Sequence, residues 1–280
     1  MKNILIPTDF SSTAKNAFRF AQSFLSYDVN IKLLNVYRPE IDPSYAYLGT
    51  PSEVFLKQQE ARFIELGKSI QQEEGNILSA TKIQYEVRVG FPTDVIVKAS
   101  KENIDLIVMG GTGETNAWDR MIGSVASQVA QRAHCPVLLV PSDAYFSGFR
   151  HSLYASDYTS VQDELIQKAV TFTNPFKSIM HFIHIHPETE TPALDKVLED
   201  RLFKILFGDA MPRLEFNMAS INTNDIAKGL KRYIQENEID LAILVTQHRS
   251  FIKRLLHKSI TKAMAFNLNI PILVFHDKIN

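Results

Sequence analysis

Short apolar runs, each too brief for a helix, alternate along the chain with longer segments of helical period. Residues 4–7 read as a buried strand, and Thr8-Asp9-Phe10-Ser11-Ser12 supplies turn and N-cap residues before a helix whose apolar face takes in Ala14, Phe18, Ala21 and Leu25. A second strand, 31–37, follows at once, so that strand, helix and strand make a right-handed βαβ unit. A polar, proline-rich stretch over 38–51 is long enough to count as functional or mobile rather than a plain connection. It leads into a helix over about 52–74. Alternation over 83–89 predicts a third strand, and Thr93 and Asp94 are placed to cap a helix reaching about Glu102. The branched apolar run 104–109 then reads as a buried parallel strand at the centre of the pattern. Helical period resumes with Val125, Val129, Ala130 and Ala133, and 136–141 form a fifth strand.

The pattern then repeats. His151-Ser-Leu-Tyr-Ala-Ser-Asp157 matches Asn3-Ile-Leu-Ile-Pro-Thr-Asp9, and Pro187-Glu188 matches Pro39-Glu40, both 148 residues on (157 against 9, 187 against 39). Ile239-Asp240-Leu241 matches Ile104-Asp105-Leu106, and Pro271 matches Pro136, at 135 residues (240 against 105, 271 against 136). The second copy has therefore lost residues, most simply from the region matching 41–74. Two α/β domains follow, joined near 141–149, and 280 residues suffice for two cores.

The stretch after the buried strand carries the candidate chemistry. Gly110, Gly113 and Gly123 fall as G-x2-G-x9-G, with Ser124 next and a helix beginning there. Glycine lets backbone N–H groups approach an anion closely, and a helix N-terminus adds unpaired donors and a positive dipole end. A glycine-rich strand-to-helix connection serves equally as a plain tight turn. The stretch lacks the Gly-Lys-Ser/Thr of a P-loop, and Asn116 stands where a dinucleotide fingerprint needs its third glycine. In an open parallel sheet a ligand binds beyond the carboxyl ends of the strands, where the strand order reverses. Asp9, Val36 and Gly110 stand at three such ends. Asp9 reads equally as a helix cap, Val36 as core packing and Ser124 as a cap.

Charge and composition narrow the class. With 30 Lys and Arg against 31 Asp and Glu, the net charge is −1 and no basic stripe marks a nucleic-acid surface. The single cysteine, Cys135, cannot close an intrachain disulfide, and the apolar start before Pro7 is too short for a signal peptide. No apolar run approaches the roughly 20 residues that cross a bilayer. A soluble, cytoplasmic protein with no nucleic-acid or membrane partner is expected.

The G-x2-G-x9-G-Ser spacing resembles the signature of universal stress proteins. The resemblance extends to Ile4-Leu-Ile-Pro-Thr-Asp9, Leu33-Leu-Asn-Val36 and Pro136-Val-Leu-Leu-Val140, and the chain is similar to a tandem member of that family. The resemblance implies two tandem doubly wound, five-stranded parallel-sheet α/β domains of the adenine nucleotide alpha hydrolase-like kind, over 1–143 and 150–280. They would face each other as an intrachain pseudo-dimer through their fifth strands, 136–140 and 271–275, each of which would otherwise expose an unpaired edge. It implies ATP with magnesium in the first domain only, with Asp9 and the backbone at Val36 holding the adenosine and Gly110, Gly113, Gly123 and Ser124 holding ribose and phosphates. In the second copy Val245, His248 and Lys258 replace the three glycines and only Ser259 remains, so one site per chain is expected.

Between the glycines, Glu114, Trp118 and Asp119 depart from the family's usual glycine and basic residues, and Arg120 alone is positive. Two acids beside a triphosphate require a divalent cation, held chiefly through phosphate oxygens and water. No P-loop lysine, kinase catalytic loop or G-x-S-x-G elbow is present, so little or no turnover is expected. The role implied is a nucleotide-responsive stress or regulatory factor with protein partners, and a further homodimer is compatible with it. A nucleotide-free interaction scaffold is the alternative, and a slow ATP hydrolase or phosphotransferase ranks below it. His181, His184 and His186 share one strand, chiefly as strand-end histidines touching solvent or helices. A zinc set of Asp157, His184 and His248, matching Asp9, Val36 and Gly113, is the sharper alternative.

Overall fold

The structure, a computed structural model, describes residues 1–24, 29–38, 53–74, 82–111, 123–156, 163–186, 204, 214–223, 225–246 and 269–276. The chain divides into two compact units, Met1–Tyr145 and Phe146–Asn280, each taken by itself below.

The first unit runs β1 (Asn3–Pro7), α1 (Ser12–Phe24), β2 (Asn30–Tyr37), α2 (Glu53–Glu74), β3 (Lys82–Val89), α3 (Pro92–Ala99), β4 (Leu106–Gly110), α4 (Ser124–Arg132) and β5 (Val137–Val140). All pairings are parallel, in the order β3-β2-β1-β4-β5. The centre is thus β1, with β4 beside it, rather than the 104–109 strand itself. Both strands have apolar, fully buried middles, Ile4, Leu5 and Ile6 against Leu106, Ile107 and Val108, so hydrophobicity alone cannot rank them. The chain steps outward from β1 through β2 to β3 and from β4 to β5, which puts the reversal of strand order between β1 and β4. Phe18, Ala17 and Ala21 of α1 are buried, as is Phe63 of α2.

The helix starts differ from expectation in one place. Neither Thr93 nor Asp94 caps α3: Phe91 is its N-cap, extended and without a side-chain cap bond, and Pro92 is its first residue. Proline needs no donor there and its fixed φ suits a first turn. Asp94 instead pairs on the surface with Arg132 at 2.7 Å.

The second unit comprises β6 (His151–Ser156), α5 (Asp163–Thr173), β7 (Ile179–His186), β8 (Phe216–Asn222), α6 (Ile226–Glu236), β9 (Leu241–Thr246) and β10 (Ile272–His276). Its order, β10-β9-β6-β7-β8, is the first unit's order strand for strand. The repeat extends to hydrogen bonds. Asp105 accepts the backbone N–H groups of Lys2 and Asn3 at 2.6 and 3.0 Å, and Asp240 accepts those of Arg150 and His151 at 2.9 and 3.2 Å. One carboxylate in each unit therefore ties the start of the central strand to its neighbour. Burial raises the Asp240 carboxyl above the ordinary carboxylate value, whereas at Asp105 the two N–H donors outweigh burial and lower it.

The strand register corrects one correspondence. Asn3 pairs with Asn30, and its equivalent His151 pairs with Ile179, so the second strand is offset by 149 residues (179 against 30) rather than 148. Val36 therefore corresponds to Ile185, and His184 to Asn35. His184 and His181 are 7% and 3% exposed, so neither is a strand-end histidine in solvent. Among the described residues no group of three potential metal ligands gathers. Asp157 and His248 lie outside them.

The two units use the same sheet position in opposite ways. Lys32 of β2 joins a partly exposed ion network, 3.2 Å from Glu86, which is bound in turn by Arg88 at 2.6 Å. Its equivalent, the buried His181, sits in a part-buried chain: its Nε2 lies 3.2 Å from His151 Nδ1 and its Nδ1 3.0 Å from Tyr233 Oη on α6. A neutral imidazole satisfies both contacts, donating through one nitrogen and accepting through the other. Burial first, then the His151 charge, hold the His181 imidazole below its ordinary value of 6.5. Unfolding then takes up a proton in the window just below that value, so this contribution to stability is present above pH 6.5 and is lost as pH falls through the window. Asp240, raised by burial, acts in the opposite sense, gaining stability as pH falls toward 3.8. Thermal melts between about pH 7.5 and pH 5 should fall more steeply for the wild type than for H181N. Parallel curves would remove His181 as a source of acid lability.

Candidate functional site

The candidate site lies beyond the carboxyl ends of β1, β2 and β4. In β1–β4 pairing Leu5 stands opposite Ile107, and in β1–β2 pairing Pro7 stands opposite Leu34. These registers set the carboxyl ends of the three strands side by side, with Asp9 two residues past the end of β1, Val36 next to last in β2 and Gly110 ending β4. Three segments distant in sequence thus meet at the point of strand-order reversal.

Each position is locally fixed. Ser11, not Asp9, caps α1: its hydroxyl accepts the Ala14 N–H at 3.2 Å. The Asp9 carboxylate accepts the Ser11 N–H at 3.0 Å, closing the turn before the helix, and its side chain stands exposed at the crevice. The Thr8 N–H donates to the Leu34 carbonyl at 2.8 Å, and Asn35 Nδ2 donates to the Thr8 carbonyl at 2.8 Å. Leu34 uses its carbonyl toward β1. Two residues on, the backbone groups of Val36 face the same side, where β1 has already turned away. The Val36 side chain is half-buried, as packing requires, and its backbone groups lie past the last β1 partner of β2.

Gly110 ends β4 where a neighbouring helix, independently of any ligand, leaves no room for a side chain. A side-chain carbon built there would lie 2.7 Å from Thr13 Cγ2 and 3.1 Å from the Thr13 backbone, so α1 occupies the space. The following residue, Gly111, which the spacing does not single out, holds the loop: its N–H donates to the Val140 carbonyl at 2.9 Å and its carbonyl accepts the Gly123 N–H at 2.6 Å. This clasp sets the start of α4. Gly123 is the N-cap, and the first intrahelical bond is Ser127 N–H to the Gly123 carbonyl at 2.9 Å. The N–H groups of Ser124, Val125 and Ala126 precede that bond, and Ser124 is exposed. Gly113 lies outside the described residues, as do Glu114, Trp118, Asp119 and Arg120.

The donors and acceptors present fit an adenosine phosphate: a carboxylate and a strand backbone suit hydroxyl and base edges, and a nine-residue helix opening with a hydroxyl suits an anion. Asn35, Thr8 and Gly111 are the residues that sequence reasoning missed. A polar Asn35 inside the apolar run Leu33–Val36 and the doubled glycine were the available signals. In the second unit Val245 replaces Gly110 at the same register, opposite Phe275 as Gly110 is opposite Val140, and is buried.

A doubly wound parallel sheet with a glycine-clasped connection at its switch point defines an open α/β architecture. The model of the universal stress protein family matches residues 1–141, and the chain belongs to that family. Universal stress protein MJ0531 of Methanocaldococcus jannaschii is 34% identical over 50% of this chain and 81% of its own length. Universal stress protein Slr1230 of Synechocystis, 23% identical, matches 98% of this chain and 100% of itself, so a relative spans both units. A crystal structure of a universal stress protein from Archaeoglobus fulgidus matches with a TM-score of 0.71 at 19% identity, over 98% of this chain and 96% of that one, which is a likeness of fold. Among the described residues no helix is long and apolar enough to cross a membrane.

The Gly110 contact makes a stability prediction. Gly110→Ala should destabilise the chain by about 1–3 kcal/mol, since the clash includes backbone that cannot swing aside. Thr13→Ala, which removes the methyl but not the backbone, should recover part of that loss in the double variant. Additive losses in chemical denaturation would mean that the two positions do not touch.

Proposed function

We propose that the chain is an ATP-binding stress or regulatory factor, with a single site in its first domain, residues 1–143, and none of the family kind in its second, 150–280. The convergence of the Asp9 carboxylate, the Val36 backbone and the α4 N-terminus behind the Gly111–Gly123 clasp supports this reading. Asp9 and Val36 would hold the adenosine. Gly110, Gly113, Gly123 and Ser124 would border the ribose and phosphates, with magnesium held chiefly through phosphate oxygens and water. Bound ATP would select a conformation or a protein partner in the cytoplasm rather than be consumed, because the sequence has no P-loop lysine and no kinase catalytic-loop pattern for phosphoryl transfer. In the second unit Val245 brings a buried side chain to the strand end where the first has glycine.

Titration calorimetry with ATP and magnesium should give one site per chain. Gly113→Val and Gly123→Val should each abolish binding, because a side chain enters the phosphate's approach. No binding, or two equivalent sites, would overturn the proposal; full affinity in both variants would reduce the loop to a turn and favour the scaffold reading. Steady-state hydrolysis should stay well below the usual enzyme range of about 1–1000 per second. A rate within that range would identify an enzyme instead.

A further inference from the structure

Beside Asp9 stands the one residue of this turn in a left-handed conformation, Phe10, with φ of 66°. A bulky side chain adopts that region only when its surroundings hold it there. Locally, the Phe10 N–H donates to the Thr8 hydroxyl at 3.0 Å. The rest of the restraint comes from α2. The Phe63 ring, 1% exposed, meets the Phe10 ring edge-on at a centroid distance of 5.0 Å, and the Arg62 guanidinium lies over it at 4.1 Å. Phe63 is backed in turn by Tyr85 of β3, at 5.1 Å. The Phe10 ring is therefore held edge-on by one α2 side chain and on a face by another, while its backbone sets the direction of the preceding carboxylate.

We infer that Phe10 is a positioning residue: through Phe63 and Arg62 it makes the aim of the Asp9 carboxylate depend on how α2 packs, so that occupancy of the crevice and order in α2 are coupled. The inference rests on the nucleotide reading for its ligand but not for the mechanical tie. The physical logic is a contest of two preferences. Left to itself, a phenylalanine at this position relaxes to negative φ and swings the adjoining peptide, with the Asp9–Ser11 bond that closes the turn. The ring contacts with α2 oppose that relaxation, and aromatic and cation–π contacts are individually modest, so the turn is held near a balance that a ligand on Asp9 can shift. Coupling of this kind is reciprocal: what α2 does for the ligand, the ligand does for α2.

Phe10→Gly separates the tie from the strain, because glycine accepts positive φ freely yet offers no ring to α2. Arg62→Ala weakens the same contact from an exposed position, where loss of folding is not at issue. Phe10→Tyr keeps the ring. Full-length chains would be followed by amide exchange and by calorimetry with ATP and magnesium. In the wild type, ATP should slow exchange over 59–66 of α2. F10G should abolish that response and weaken ATP binding by roughly fivefold or more, R62A should do so by about twofold, and F10Y should behave as wild type. ATP binding without protection of α2, or F10G binding as wild type does, would overturn the inference. If the wild type binds no ATP, the nucleotide reading fails, and the tie is judged without ligand: F10G and R62A should quicken exchange at the Ser11 and Ala14 amides, and unchanged exchange would overturn it. Should F10G fail to fold, R62A decides by the same two readouts.

Discussion

The approach of α1 to the end of β4 is the contact on which the first unit's crevice depends. Thr13 stands where any side-chain carbon of Gly110 would go, at 2.7 Å. The start of the helix that follows β1 is thereby pressed against the end of β4, the strand from which the candidate loop departs. Because the order of strands reverses between β1 and β4, the chain leaves their ends in opposite directions, and the turn after β1 and the Gly111–Gly123 clasp border the space between them. The turn must be short and self-closing, which the Asp9 and Ser11 bonds accomplish, and the loop must leave and return at one place, which the Gly111 carbonyl and the Gly123 N–H accomplish at 2.6 Å.

The two units share a backbone scheme more closely than they share side chains. Asp105 and Asp240 bind the same pair of N–H groups, and the Ile107 N–H to Pro136 carbonyl bond at 2.9 Å recurs as Ala242 to Pro271 at 3.0 Å. These bonds fix main-chain donors at the start of a strand, and an apolar substitution of the carboxylate would hand those partly exposed donors to solvent. The sheet faces are under no such obligation. A lysine in a solvated ion network becomes a buried histidine bridging His151 and Tyr233, and the glycine against Thr13 becomes a buried valine. Such exchanges leave the fold intact and alter what each unit can hold or sense.

The elements themselves were legible in the chain. Short apolar runs for β1, β4 and β5, and alternation for the part-exposed β3, placed the first unit's strands within a residue or two. A strand covered on both faces reads as an apolar run, and one with a solvated face as a period of two. The cap of α3 was misplaced because Thr93 and Asp94 offer good capping side chains, yet Pro92 already fits the first turn and moves the start upstream. The match of Val36 to His184 failed because a single extra residue between β6 and β7 is invisible when two copies are this divergent, and in a strand one residue exchanges the two faces.

By itself the sequence determined the alternation of strands and helices, the internal repeat, the family resemblance and the glycine-to-serine spacing, since each of these is written in local residue order and hydrophobic period. Only the tertiary structure decided that Gly110 is small for the sake of Thr13, that Gly111 closes the loop, that Ser11 rather than Asp9 caps α1, and that Phe10 is braced from α2. The reason is distance along the chain. Thr13 and Gly110, or Phe10 and Phe63, become neighbours only once the sheet has chosen its order and register, and no pattern within either segment encodes the identity of the other.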